Sequence, residues 1–338
     1  MKILDKIPRI QLANLPTPLQ ETPRLAQKIG LSKLLIKRDD LTGLAGGGNK
    51  ARKLEYDFAA IVNGGYDVVI TAGGIQSNHA RMTAAAARKL GLAVKLVLGG
   101  PEFGRYEGNL LLDVLFGAEI RYLIDDDAND HLTSTMEKWA AELAMDGRKP
   151  FVIPIGGSTG LGALGYVAAM RELSGQFGGG EVQLILGVGS CGTLAGTVLG
   201  SKIFMPRGRV IGISVSRTSA AIRQRTEEII MESAELIGYK VAANSLAIEC
   251  YDEYFSEYGL ITNAGEQAIL DCARLAGILL DPIYTGKVMA ALIDLVEKKI
   301  IDKNIPVIFI HTGGLPIIFS FQSELGKFAD CTKIKNVF

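Results

Sequence analysis

The sequence has no excess charge of either sign, because 36 lysines and arginines balance 36 aspartates and glutamates. Binding to nucleic acid or to an anionic membrane surface needs a basic field. Neither partner is therefore predicted. Four cysteines, at positions 191, 250, 272 and 331, lie too far apart in the sequence for a zinc motif or a disulfide framework. Free thiols of this kind predict a reducing cytoplasm.

Histidines and long apolar runs are also scarce. Three histidines in 338 residues do not predict a metal site. The longest apolar segments, such as residues 184–188, are far shorter than the roughly 20 residues of a membrane helix. Charges at Lys2, Asp5 and Lys6 stand where a signal peptide would need its apolar stretch. We therefore expect neither a membrane span nor a signal peptide.

Glycine, in contrast, is abundant, with 40 residues, or about 12% against a usual ~7%. A chain with a normal apolar fraction of 48% and this much glycine is expected to bring backbone close to a ligand. A length of 338 residues gives a prior of roughly two domains.

Short β-branched runs alternate with longer amphipathic segments, which predicts βαβ units and an α/β fold with mostly parallel sheet. Strands are predicted at residues 34–37, 68–72, 93–98, 119–123, 151–153, 182–186, 209–215 and 307–311. Helices are predicted at residues 49–60, 78–90, 109–116, 163–177, 192–204, 219–236, 263–277 and 286–298. Residues 55–155 hold a strand–helix series of their own. They are predicted to form a small domain inserted into a larger one of residues 1–54 and 156–338, with the ligand in the crevice between them.

The first glycine-rich loop, residues 43–48, leads into a predicted helix that begins at Asn49 and Lys50. A phosphate-binding P-loop does not fit, because Asn49 precedes the lysine and Ala51 stands where Ser or Thr would bind magnesium. A helix N-terminus disfavours a cation. An amine placed there is more easily kept neutral, as an amine nucleophile must be. We therefore predict a covalent role for Lys50 rather than a solvated surface cap.

The second loop, residues 73–78, follows an apolar strand and opens an alanine-rich helix. Ser77 and Asn78 are good residues for capping that helix. The free N–H groups and the helix dipole also suit a substrate carboxylate. The sequence leaves both roles open.

The third loop, residues 187–192, matches the dinucleotide pattern G-x-G-x-x-G. The next strand, however, ends in Ser-Val-Ser-Arg at residues 214–217, without the acidic residue that would bind a ribose. Ser190 and Thr193 instead suit a single terminal phosphate, bound by N–H groups and hydroxyls.

Near the end of the chain, residues 281–287 form a polar elbow before a helix, and residues 311–314 follow an apolar strand. Tyr258 lies in an aromatic cluster whose members are mostly expected to pack in a core or domain interface. His311 is expected to be structural. One lysine, one carboxylate cradle and one phosphate cradle together indicate an amino-acid enzyme that uses pyridoxal phosphate.

These motifs, in this order, resemble the family of D-cysteine desulfhydrases and 1-aminocyclopropane-1-carboxylate deaminases. The resemblance covers nearly the whole chain and rests on the segments at residues 16–19, 37–43, 47–50, 76–79, 281–287 and 311–314. It implies fold type II, the tryptophan-synthase-β-like fold, with two open, twisted, mostly parallel sheets flanked by helices. It also implies a small amino-acid substrate and a homodimer.

The resemblance implies roles for individual residues. Lys50 would hold the cofactor covalently and move the α-proton, and Asn78 would hydrogen-bond the ring hydroxyl of the cofactor. The expected catalytic set is Lys50, Ser77, Tyr258 and Tyr284. The substrate carboxylate would be held by Ser77, Asn78 and His79. The remaining cofactor contacts would come from Lys53, Gly189, Ser190, Cys191, Gly192, Thr193, Thr285 and Thr312. Cys191 is a departure, since many relatives have glycine there.

Two positions bear on the reaction. In the family, the ring-opening deaminases have an acidic residue and an apolar residue where this chain has Thr285 and Thr312. A carboxylate near the pyridine nitrogen keeps it protonated and strengthens electron withdrawal. Opening a cyclopropane needs this stronger sink, because its α-carbon has no proton to lose. Neutral hydroxyls suffice for loss of an α-proton and expulsion of sulfide, so the two threonines favour β-elimination. Together with the family resemblance, this predicts conversion of D-cysteine to pyruvate, hydrogen sulfide and ammonia, although the loops alone do not distinguish a D- from an L-substrate.

Several alternatives stay open. Within the lyases they are ring-opening deamination, desulfonation of L-cysteate and elimination from another D-amino acid. A nicotinamide-dependent dehydrogenase would bind its cofactor at residues 187–192, but this chain lacks the acidic residue that would bind the ribose. A non-catalytic amino-acid binder would not need Lys50 and both cradles.

Overall fold

The computed structural model describes residues 4–100, 106–124, 128–242, 246–254 and 260–327. Its strands are β1 Leu19–Glu21, β2 Leu34–Lys37, β3 Val68–Gly74, β4 Ala93–Gly99, β5 Glu119–Leu123, β6 Pro150–Val152, β7 Val182–Val188, β8 Gly208–Ser214, β9 Glu249–Tyr251 and β10 Val307–Ile310. Its helices are α1 Pro23–Ile29, α2 Lys50–Asn63, α3 Asn78–Lys89, α4 Gly108–Leu115, α5 Ala128–Met145, α6 Gly160–Phe177, α7 Gly192–Phe204, α8 Ser219–Leu236, α9 Asn263–Ala276, α10 Thr285–Glu297, α11 Leu315–Ile318 and α12 Gln322–Gly326. No helix in these ranges is long and apolar enough to cross a bilayer.

The larger of the two sheets has six strands in the order β1-β2-β10-β7-β8-β9, and only β1 is antiparallel to its neighbour. Its central strands read as continuous apolar runs because helices cover both faces. Alternate residues of β7 enter different cores. Leu184 packs with side chains of α6, α7 and α8, whereas Ile185 packs with those of α9 and α10.

The smaller sheet is entirely parallel, with the order β5-β4-β3-β6. Val69 and Leu96 face a core shared with α2, α3 and α4. The other face is covered by α5, whose Trp139 is buried against Val68 and Ile70. These four strands lie between residues 68 and 152, whereas helix α2 runs across the predicted domain limit at residues 54–55.

The parallel α/β architecture predicted from the sequence is confirmed, but several short elements were not predicted. Strands β1 and β9 have three residues each, too few to show an alternating pattern. Helix α1 has seven residues. It could have been found, because Pro23 stands at its first turn and Gly30 ends it in the left-handed conformation.

The connections after β2, β3, β7 and β10 carry the loops that the sequence singled out. The carboxyl ends of parallel strands meet at one edge of a sheet, so loops from distant segments become neighbours there. The clearest case is an isolated antiparallel bridge between Gly48 and Gly313, which joins the loop before Lys50 to the loop after β10.

Candidate active site

The loop before Lys50 owes its shape to glycine and one threonine. Gly47 has φ +82°, and a Cβ there would lie 1.8 Å from the carbonyl oxygen of Asp40, so only glycine fits. The Thr42 hydroxyl donates to the carbonyl of Gly48 at 2.8 Å and accepts from the Gly48 N–H at 2.7 Å. Helix α2 therefore starts from a fixed loop, with Lys50 as its first residue.

The Lys50 amine is half-buried and lies beside the turn that follows β6. Its Nζ donates to the carbonyl oxygen of Gly156 at 3.3 Å, and no ion pair to Lys50 occurs among the described residues. Burial lowers the pKa of Lys50 to about 8, against a weak opposing effect of Cys191. The amine is thus easily deprotonated, as the sequence predicted, but burial is the cause that the structure identifies.

A second buried amine, Lys53, lies at the same turn. Its Nζ donates to the Gly156 carbonyl at 2.6 Å and to Ser158 Oγ at 3.1 Å. Burial, and next the charge of Lys50, lower the pKa of Lys53. Four residues further along α2, burial raises the pKa of Asp57 to about 7, although the charge of Lys53 acts against this rise. Two amines beside one carbonyl form a site that favours an anion.

The predicted phosphate loop lies next to Lys53. A Cβ at Gly192 would be 2.6 Å from Lys53 Nζ and 2.8 Å from Ser158 Oγ. Ser158 donates to Ser190 Oγ at 2.8 Å, and Asn49 Nδ2 donates to Thr193 Oγ1 at 2.9 Å. The structure thus brings Lys50, Lys53 and this loop together at the start of α7, where the first N–H groups have no helical acceptor.

Cys191 occupies the N-cap of α7 with φ +69°. This left-handed conformation favours glycine. The thiol is buried, and burial raises the pKa of Cys191. The thiol is therefore a neutral group that is shielded from solvent.

Ser77 caps helix α3, which is one of the two roles predicted for it. Its Oγ accepts from the Ala80 N–H at 3.2 Å. The backbone approaches closely here, since a Cβ at Gly73 would lie 2.4 Å from Ser77 Oγ. Among the described residues the Ser77 hydroxyl donates to no acceptor, so its hydrogen can bond to a ligand.

The side chains of Asn78 and His79 have different hydrogen-bond partners. Asn78 is half-buried, and its Oδ1 accepts from Asn109 Nδ2 at 3.0 Å. His79 is buried and shares a hydrogen bond of 2.9 Å with Thr71 Oγ1. Burial, then the Lys50 and Lys53 charges, lower the pKa of His79 well below its ordinary value. A neutral, buried imidazole has no charge for a carboxylate, so any contact from His79 would come through its backbone N–H.

The two threonines that the sequence predicts to bear on the reaction differ in their surroundings. The Thr285 hydroxyl donates to Asp281 Oδ2 at 2.7 Å and accepts from the Asp281 N–H at 2.7 Å. The Thr312 carbonyl accepts from the Asn49 N–H at 2.9 Å, whereas its hydroxyl has no partner in the described part of the chain. Of the two, Thr312 has the hydroxyl that is available to a ring nitrogen.

Tyr284 lies against the phosphate loop, with its Cε1 3.6 Å from the position of a Cβ on Gly189. Tyr258 lies outside the described residues. The structure adds Gly156 and Ser158, which sequence reasoning missed. A Gly-Gly-Ser-Thr run after a short strand was the available signal. Within the described ranges, no group of three metal-ligating side chains occurs.

These residues fit pyridoxal phosphate by the chemistry of their donors. Lys50 is an amine that deprotonates readily, and Lys53, Ser158, Ser190 and Thr193 surround a helix start suited to a phosphate. When bound, the cofactor withdraws electrons from the substrate α-carbon. A Cβ at Gly156 would lie 3.5 Å from Lys50 Nζ and 2.0 Å from Ser190 Oγ. Glycine thus brings the amine and the phosphate loop close together.

Comparison with known proteins points the same way. The chain is 43% identical to a Pyrococcus horikoshii protein provisionally named 1-aminocyclopropane-1-carboxylate deaminase, over 96% of this chain and 97% of the relative. It is 40% identical to the D-cysteine desulfhydrase of Salmonella schwarzengrund, over 95% and 98%. The chain also resembles the crystal structure of a homologue of 1-aminocyclopropane-1-carboxylate (ACC) deaminase. The TM-score is 0.89 and the identity 42%, over 97% of this chain and 98% of the other.

A family model described as pyridoxal-phosphate dependent enzyme matches residues 10–313. The predicted family, fold type II and the cofactor are confirmed. The Lys50 amine and the neighbouring anion site agree with the cofactor named by the family model. The chain belongs to the family of pyridoxal-phosphate dependent enzymes.

Proposed function

We propose that the protein catalyses β-elimination from D-cysteine, giving pyruvate, hydrogen sulfide and ammonia. The observation that carries the proposal is the state of the Asp281 carboxylate. It accepts four hydrogen bonds, from the N–H groups of residues 283, 284 and 285 and from the Thr285 hydroxyl, at 2.7–3.1 Å. This saturated carboxylate cannot also hold a proton on a ring nitrogen. The Thr312 hydroxyl has no partner among the described residues, and a hydroxyl beside the ring nitrogen would suit the milder electron sink of an elimination.

Different residues of the chain would have different roles in this reaction. The neutral Lys50 amine would take the α-proton, and Ser77 with the first N–H groups of α3 would hold the substrate carboxylate. The C–S bond then breaks and its electron pair leaves with sulfide. The enamine that remains after release is hydrolysed to pyruvate and ammonia. Lys53, Ser190 and Thr193 would hold the phosphate, and Tyr284 would line the pocket.

The test is a comparison of products. We expect the wild-type protein to release pyruvate and sulfide from D-cysteine, with little or no 2-oxobutanoate from 1-aminocyclopropane-1-carboxylate. Thr285→Glu combined with Thr312→Leu should shift the product ratio away from elimination. Thr312→Leu alone is the matched control, since Thr285→Glu also sets a second carboxylate against Asp281. Equal activity on both substrates in the wild type would contradict the proposal.

Ring-opening deamination is the second candidate, because a relative of 43% identity bears that name. A dominant yield of 2-oxobutanoate would favour it, whereas sulfite from L-cysteate would indicate desulfonation. Membership of the pyridoxal-phosphate family removes the dehydrogenase interpretation of residues 187–192. A catalytically inactive amino-acid binder would bind substrate without forming any of these products.

We also propose that residues 55–155 form a small domain and residues 1–54 with 156–338 a large one, since β3–β6 pair only with one another. The protein would act in the cytoplasm as a homodimer. Cys191, Cys250 and Cys272 are free and buried, which agrees with a reducing compartment. Light scattering after size exclusion tests the dimer, and a mass near 36.2 kDa would contradict it.

A further inference from the structure

Asn109, the second residue of α4, is fully buried and holds the loop around Ser77 through three hydrogen bonds. Its backbone N–H donates to Gln76 Oε1 at 2.7 Å. Its Nδ2 donates to the Gln76 carbonyl at 2.8 Å and to Asn78 Oδ1 at 3.0 Å. A fourth bond runs the other way, since its Oδ1 accepts from Arg81 Nη1 at 3.0 Å.

The last of these contacts fixes which way the Asn109 amide faces. A guanidinium only donates hydrogen bonds, so the carbonyl oxygen of Asn109 must face Arg81. Turning the amide over would set its NH₂ against the guanidinium and its oxygen against two other acceptors. Each such mismatch leaves buried polar groups unpaired, which is costly.

The orientation of Asn109 then fixes that of Asn78. The Asn109 NH₂ group needs an acceptor, so Asn78 must turn its Oδ1 toward it. The Asn78 NH₂ group is left facing the opposite side, and it has no partner among the described residues. Asn78 is half-buried at the start of α3. It can therefore offer a donor, but not an acceptor, to a ligand.

Arg81 is held in place by its own contacts, and the orientations of Asn109 and Asn78 follow from it. It is fully buried, and its Nη2 donates to the carbonyl of Gly47, in the loop before Lys50, at 2.9 Å. Burial lowers the pKa of Arg81 to about 10, partly offset by Asp113, so the group is charged at neutral pH. One buried cation thus connects the Lys50 loop to the loop that carries Asn78.

We propose that Asn109 is a positioning residue: Arg81 sets its amide orientation, and Asn109 in turn makes Asn78 present an N–H donor to the ring oxygen of pyridoxal phosphate. The proposal rests on the assignment of Asn78 to that ring oxygen. A donor there binds an anionic oxygen through a charge-assisted hydrogen bond, whereas a carbonyl in the same place would repel it.

The test compares two ligands on the cofactor-free protein, namely pyridoxal phosphate and 3-deoxypyridoxal phosphate, which lacks the ring oxygen. In Asn109→Asp the carboxylate keeps its bond to Arg81 but cannot donate, so Asn78 turns its NH₂ toward residue 109 and its carbonyl toward the ligand. Affinity for pyridoxal phosphate should fall about tenfold or more. Affinity for the 3-deoxy compound should change by less than about twofold.

Two further variants sharpen the result. Asp113→Asn, on the same helix and also near Arg81, should leave both affinities unchanged, because Asp113 makes no side-chain hydrogen bond in the described chain. Asn78→Ala should lose the preference for the ring oxygen. Adding Asn109→Asp to Asn78→Ala should cause no further loss, because the effect passes through Asn78.

An equal loss of affinity for both ligands, or an unchanged preference in Asn109→Asp, would overturn the proposal. If Asn109→Asp does not fold, Asn109→Ala replaces it, with a smaller loss of preference expected because Asn78 is then free to turn. Failure of both variants to fold would mark Asn109 as purely structural and also overturn the proposal. The assay contains no substrate, so an absence of sulfide production would leave it intact.

Discussion

Replacing Asp39 with alanine should destabilise the protein far more than replacing an exposed aspartate that has the same kind of partner. Asp39 lies just after β2 and is fully buried. Its carboxylate accepts from the hydroxyls of Thr17 at 2.7 Å and Tyr166 at 2.6 Å. It also accepts from Arg52 Nε at 2.9 Å and Nη2 at 2.8 Å. Arg52 lies two residues after Lys50, so this carboxylate also anchors the start of α2.

The expected magnitude follows from burial. Asp39→Ala leaves the Arg52 charge with Glu172, at 2.9 Å, as its remaining ion-pair partner. Removing one partner of a buried ion pair costs about 3–5 kcal/mol. The matched control is Asp5→Ala, because Asp5 pairs with Arg171 at 2.6 Å but is 60% exposed. A surface pair of this kind is worth at most about 1 kcal/mol.

The assay is urea unfolding of both variants followed by circular dichroism. A loss of free energy of unfolding that is the same for Asp39→Ala and Asp5→Ala would refute the reasoning. The pH dependence gives a second check. Burial raises the pKa of Asp39, but the Arg52 charge, the hydrogen bonds from Arg52 and Tyr166 and the Lys37 charge together outweigh burial and lower that pKa below its ordinary value. Because the folded pKa is the lower one, this stabilisation is present above about pH 4 and is lost as the pH falls. The loss should be shallower in Asp39→Ala.

Four shorter predictions concern the site. Lys50→Ala should abolish turnover and the covalent capture of pyridoxal phosphate on borohydride treatment, as measured by mass spectrometry; specific capture at the site would contradict the assignment. Ser77→Ala should weaken substrate binding or turnover and keep the cofactor, because Ser77 lies on the carboxylate loop; cofactor loss on dialysis would count against it. Gly192→Ala should lower cofactor affinity about tenfold or more, because its Cβ would lie 2.6 Å from Lys53 Nζ. Gly175→Ala, in α6 with nothing within 4 Å of its Cβ, should leave that affinity unchanged. The rate of covalent cofactor uptake by the cofactor-free protein should rise with pH around a midpoint near 8, since burial lowers the pKa of Lys50 to about 8. A midpoint near 10.5 would show an exposed amine instead.

Except for the elbow at residues 281–287, which follows helix α9, the loops of the site could be found from the sequence because they come after apolar strands. Val68–Gly74 and Val182–Val188 are seven-residue strands, long enough to be recognised, and each runs into glycine. Parallel strands then bring their carboxyl ends to one edge without further information. Ser158 escaped notice even though a strand was predicted just before it, at residues 151–153, because the Gly-Gly-Ser-Thr run that follows was not recognised as part of the site.

Other parts of the site depend on contacts that no local pattern contains. The partners of Asn109 lie 28 to 33 residues away in the sequence, so its role is visible only once α3 and α4 pack together. Thr285 and Thr312 looked equivalent as hydroxyls near the cofactor. The Asp281 carboxylate separates them, because it accepts a hydrogen bond from the Thr285 hydroxyl, whereas the Thr312 hydroxyl has no partner among the described residues.

Strand β10 is the last strand in the described chain, yet it lies between β2 and β7. On the ribosome, β1 and β2 therefore have no hydrogen-bonded link to the other strands of their sheet until residues 307–310 have emerged. Pairings so distant in sequence form slowly. The edge of β7 is meanwhile open to pairing with another chain. The loop before Lys50 also cannot form its bridge between Gly48 and Gly313 until Gly313 has been translated. We therefore expect a chain interrupted before β10 to be an inactive, aggregation-prone product rather than a partial enzyme, because the site needs the segment up to Gly313.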